Sequence, residues 1–198
     1  MAGIKVSWGE KFMEKNKLIT NAQLKKRISE LERDEYIYII TEIAQACPKA
    51  REFLTVKFSD GENINEILEK YKQRVAHEFF PKRGFGRLNL REAKNAISDF
   101  KKICSDKAMA IDLMLYYVEN CVKFTDEYGD INESFYNSAL SVYSQVIKEI
   151  NSGDIELYNV FADRLKSAAK DAYHGWGFYD EMTALYDEII WLDKKQKK

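Results

Sequence analysis

Apolar residues recur every three or four positions along nearly the whole chain, the spacing of one face of a helix. From Thr20 the pattern predicts a first helix, with Asn21 as its cap and Leu24, Ile28 and Leu31 on one side. Asp34 can cap a second, with Ile37, Ile40 and Ala44 at helical spacing. Pro48 suits the first turn of a third, whose apolar side is Ala50, Phe53 and Leu54. Helices this short need tertiary partners, so residues 20–60 are expected to pack as a three-helix unit.

The Ser59-Asp60-Gly61 turn leads into a longer stripe of Ile64, Ile67, Leu68, Tyr71, Val75 and Phe79. Pro81 stops that helix. Asn89 with Glu92 forms a capping-box signal for the next, which turns Leu90, Ala93, Ile97 and Phe100 inward. After Ser105, read as a cap, the apolar residues from Met109 to Phe124 surround most of the circumference of a helix that ends at Tyr128. A helix of that kind is buried on several sides, so it is expected at the centre. Gly129 suits its stop. Three more helices follow, the last beyond the aromatic-glycine joint His174-Gly175-Trp176-Gly177-Phe178. No useful strand alternation occurs. The expected fold is all-α, with eight or nine helices as an antiparallel bundle or a short solenoid of helical hairpins. Residues 1–19 read as a weakly structured arm, 63–193 as the main helical domain continuous with 20–60, and 194–198 as a basic tail.

Composition narrows the function classes. The 198 residues carry a formal net charge of -1, so any nucleic-acid or anionic-membrane argument must rest on a local patch. Cys47, Cys104 and Cys121 are odd in number and lack the spacing of a zinc or redox motif, which points to a reduced, cytoplasmic protein. The start of the chain has no signal-peptide pattern, and no stretch approaches a membrane span. There is no Walker A loop and no nucleophile-elbow serine. His77-Glu78 lacks the second histidine of a helical zinc motif, because Pro81 stands there.

Several motifs in order resemble a family of small bacterial helical proteins known only as a domain of unknown function. They are Phe79-Phe80-Pro81-Lys82-Arg83-Gly84, then Ala96-Ile97-Ser98-Asp99-Phe100-Lys101 and Asp112-Leu113-Met114-Leu115-Tyr116-Tyr117. Phe124-Thr125-Asp126-Glu127-Tyr128-Gly129-Asp130-Ile131, Glu133-Ser134-Phe135-Tyr136-Asn137-Ser138 and Gly175-Trp176-Gly177-Phe178-Tyr179-Asp180 complete the set. The resemblance covers residues 20–190. It implies an all-helical domain and brings no activity with it.

Three constellations can carry recognition or chemistry. The irregular segment after residue 78 holds Lys82, Arg83, Arg87, Arg91 and Lys94 at or before the first turns of a helix, where free N–H groups can hold an anion. Gly84 and Gly86 would let backbone approach a ligand closely. The bland alternative is a helix joint plugged by its phenylalanines. Asp112, Glu119 and Asp126 recur every seven residues on the central helix, within about 40° of one another, with Lys123 beside them. Buried charge is expensive, so this stripe either faces water or meets cations. Arg83, Arg87, Arg91 and Lys94 are the expected partners, making the stripe a structural ion-pair line or a small polar cleft. Tyr128, Trp176 and Asp180 sit in polar-aromatic joints suited to recognition.

The leading expectation is a non-catalytic helical interaction protein whose partner is another protein. RNA or a phosphate-bearing ligand bound at 82–94 is one alternative, and an enzyme using the central-helix carboxylates is another. No catalytic residue, metal ligand or cofactor is assigned, and no membrane partner is expected.

Overall fold

The computed structural model describes residues 18–58, 61–175 and 177–192. The N-terminal arm, the basic tail and Trp176 lie outside the described residues. The protein is all-α, with nine helices among the described residues: α1 Asn21–Ile28, α2 Arg33–Ala46, α3 Pro48–Phe58, α4 Gly61–Phe79, α5 Leu90–Ile103, α6 Lys107–Tyr128, α7 Glu133–Asn151, α8 Ile155–Lys170 and α9 Phe178–Asp187.

Side-chain caps set several starts. Asn89, Asn132 and Asp154 each accept the backbone N–H three residues on. Two starts differ by a residue from expectation. Thr20, not Asn21, caps α1 in a reciprocal box with Gln23. Asp106, not Ser105, caps α6 by accepting the Met109 N–H at 3.0 Å. A carboxylate is the stronger acceptor, and its charge also suits the positive end of the helix. At α2 the Glu32 N–H donates to Glu35 at 2.8 Å.

The chain divides into two units, Met1–Pro48 and Lys49–Lys198. In the second, α6 is central, as its pattern predicts: it packs against α4, α5, α7 and α8. Twelve of its residues are buried, among them Ile111, Leu113, Met114, Leu115 and Val118. Burying each large side chain contributes about 1.5–3 kcal/mol. Phe79, at the end of α4, stands edge-on to Tyr117, Phe124 and Phe135, with centroids 5.6, 6.2 and 6.5 Å away. Buried hydroxyls are satisfied: Tyr117 shares a 2.8 Å hydrogen bond with Ser138, and Tyr143 donates to the Leu165 carbonyl at 2.9 Å. Polar bonds fasten α3 to this unit. Lys49 pairs with Asp99 at 2.8 Å, Tyr71 donates to Glu52 at 2.9 Å, and Lys70 also pairs with Glu52.

The first unit behaves differently. Neither α1 nor α2 buries a residue, and the same is true of α3.

Candidate functional site

The acidic stripe divides into two ends, and its cations are not the expected ones. Arg164, from α8, lays its guanidinium between two of the carboxylates. Its Nε and Nη2 donate to the two oxygens of Glu119 at 2.7 and 2.9 Å, and Nη1 donates to Asp112 at 2.5 Å. Lys72, from α4, completes the set at 2.9 Å from the other Asp112 oxygen. Burial alone would raise the Asp112 pKa, but hydrogen bonds from Lys72 and Arg164 outweigh it and hold the carboxyl below its usual range. The forked geometry is one that arginine provides and lysine does not. Asp126, about two turns further along, instead faces His174 at 3.6 Å. Lys123 turns away from the stripe, and its ammonium lies 4.9 Å from the Phe80 ring centroid. A shallow cleft of about 320 Å³ opens here, lined by Glu119, Lys123, Asp126, Asp163 and Arg164.

Arg83, Arg87, Arg91 and Lys94 thus do not clasp α6, and the expected internal pairing is corrected. The physical reason is position. Lys72 on α4 and Arg164 on α8 occupy the carboxylates first, because both helices pack directly on α6. The joint itself folds back on the end of α4. The Leu88 N–H donates to the Glu78 carbonyl at 2.9 Å, using an acceptor the helix end leaves open. A Cβ on Gly86 would sit 2.1 Å from the Phe79 carbonyl oxygen, so the close approach expected of this glycine is to α4 backbone rather than to a ligand. Gly84, at φ +77, takes the left-handed turn. Phe79 and Phe80 plug the joint, while Phe85 is 87% exposed.

What remains is an open groove of about 710 Å³ along α4. Lys70, Arg74 and His77 of α4 line it together with Lys82 and Arg83, and Ala76 and Phe80 supply apolar surface. Arg74 lies over the Tyr71 ring at 4.9 Å and within 3.5 Å of Asp99. Among the described residues, Lys82 and Arg83 are exposed and make no hydrogen bond or ion pair. The groove therefore presents two uncommitted positive charges beside Lys70 and Arg74, which pair with Glu52 and Asp99, with Glu78 and Glu92 as its acidic residues.

Other expected site residues are dispersed. Arg87 and Arg91 are exposed outside the groove lining. Lys94 borders a separate cavity of about 480 Å³ with Lys101 and Lys102. Tyr128 is exposed and stacks on Phe124 at 4.4 Å. Asp180 is exposed in the first turn of α9. Trp176 lies outside the described residues.

Lys70, Arg74 and His77 were not singled out from sequence. Their spacing of four and then three places them on one face of α4, and that signal was available. Burial pushes the Cys104 and Cys121 thiols up, away from a reactive thiolate. Among the described residues, no group of three or more acidic, histidine or cysteine side chains is placed to hold a metal ion. No described helix is long and apolar enough to cross a membrane.

A family described as "Family of unknown function (DUF6155)" matches residues 19–190. No curated protein and no solved structure matches the chain.

Proposed function

This chain belongs to the DUF6155 family, a family of unknown function, and we propose that it works as a non-catalytic helical interaction protein. Its α4 groove holds an acidic, partly apolar segment of a partner protein. The observation that carries this reading is the pair Lys82 and Arg83, exposed and unpaired in a groove also lined by Lys70, Arg74 and His77. The basic groups form a row rather than a ring. From residue 70 to 77 a helix advances about 10 Å, which suits an extended chain better than a single phosphate. Ala76 and Phe80 give such a chain apolar footing. The net charge of -1 favours a protein partner over RNA, because only this patch would attract a polyanion. The three free cysteines support a reducing, cytoplasmic setting.

Anisotropy titration with a labelled acidic peptide containing phenylalanine and leucine tests the reading, beside a mixed single-stranded RNA pool. The peptide binds, and Arg83→Glu weakens it about tenfold, a change of about 1.4 kcal/mol. Tighter RNA binding with a steep salt dependence would replace the protein partner with a phosphate-bearing one. Binding of neither would end the proposal.

A further inference from the structure

The α4 groove is unevenly charged, and its own chain supplies the reason. Lys82 and Arg83 meet no carboxylate among the described residues, whereas Lys70 pairs with Glu52 of α3. Tyr71, the next residue on α4, donates to the other Glu52 oxygen at 2.9 Å. Burial alone would raise the Glu52 pKa, but the hydrogen bonds from Lys70 and Tyr71 outweigh it and hold the carboxyl below its usual range. An acidic side chain of the protein itself therefore already sits on the cation at the Lys70 end of the row.

The two carboxylates that reach this row are not held alike. Asp99, 3.5 Å from Arg74, is also bound by Lys49 at 2.8 Å and Lys102 at 3.2 Å. It stands on α5, whose Ala93, Ala96, Ile97 and Phe100 are buried. Glu52 stands on α3, which buries no residue. The Lys70 side chain is 60% exposed, and ion pairs open to water in this way exchange partners at little cost. Glu52 is thus the removable carboxylate, and an acidic side chain from outside matches its chemistry. Resting on the reading of the groove as a holder of acidic segments, we propose that Glu52 is an internal competitor for that site: it occupies Lys70 until an acidic side chain of the partner replaces it, and α3 loosens as the partner binds. Linkage makes the effect reciprocal, so a change that weakens the Glu52 contact strengthens the partner.

Anisotropy titration with the labelled acidic peptide tests this on the wild type, Glu52→Gln, Lys70→Gln and the double variant. Glutamine keeps an acceptor for the Tyr71 hydroxyl and loses the charge that holds Lys70. Both positions lie outside the buried core, so the variants fold, and far-UV circular dichroism verifies it. Glu52→Gln binds the peptide about threefold tighter, the size of one exposed ion pair. In the Lys70→Gln background the same change has little effect, because no cation is left to compete for. An equal gain in both backgrounds would reflect only a general loss of negative charge and would overturn the proposal. Hydrogen exchange gives a second readout: α3 amides of the wild type exchange faster with saturating peptide, and unchanged α3 exchange would also overturn it. Equal binding by wild type and Glu52→Gln would remove the competitor and leave the groove reading intact. Peptide bound by none of the four proteins would end both.

Discussion

Helices α6 and α2 are both rich in apolar residues, yet their fates are opposite. On α6 that surface is covered by α4, α5, α7 and α8, and twelve residues are buried. On α2 no residue is buried, and four isoleucines stand exposed. The hydrophobic pattern thus announces that a helix needs cover, but not which molecule provides it. Inside its own chain α6 is a structural axis.

The difference can be broken or sharpened by mutation. Leu115→Ala, at a fully buried position on α6, should cost about 2–5 kcal/mol. The same kind of truncation at Ile40, Ile40→Ala, should stay within about 0.5 kcal/mol. Chemical denaturation measures both, and an equal cost would collapse the contrast. Arg164→Ala should come next. It leaves Asp112 and Glu119 without their shared guanidinium. Breaking a fully buried pair costs about 3–5 kcal/mol; this site is about one-third open to water, so about 2–3 kcal/mol is expected. Arg164→Lys should recover only part of it, because an ammonium cannot bond both Glu119 oxygens in the fork. Gly86→Ala forces a methyl group against the Phe79 carbonyl and should cost about 1–3 kcal/mol. A neutral result there would place the joint elsewhere than on α4.

A smaller effect is set by pH. The folded-state pKa of Asp112 lies below its ordinary value, so its ion pairs stabilise the fold above the unfolded value of about 3.9. That contribution is lost as pH falls through the lower folded value. Asp99, drawn down to about 2, chiefly by the hydrogen bond from Lys49 and also by that from Lys102, behaves in the same sense. Acid titration of stability should therefore show a loss below pH of about 4, shallower in Asp112→Asn.

The central position of α6 was legible because its apolar residues run round the helix, a signal that needs no knowledge of neighbours. The helix joints were legible from Pro81, Gly129 and the capping residues. The acidic stripe was visible too, since a seven-residue repeat fixes a face. Its partner was not visible, because Arg164 lies 45 residues from Glu119 and 52 from Asp112 along the chain. Only the packing of α8 on α6 brings them together, and local spacing does not encode that. Proximity in sequence favoured Arg83 and Arg87 instead, whereas the joint is turned back onto α4 by Gly86 and the Leu88 bond. With that correction Lys82 and Arg83 are left outward, beside a basic row on α4 that sequence spacing could have revealed.

Hydrogen exchange of the full chain tests the central contrast most directly. Amides of α6 should be strongly protected. Those of α2, which has no buried residue among the described ones, should exchange faster. Protection of α2 equal to that of α6 would contradict the account.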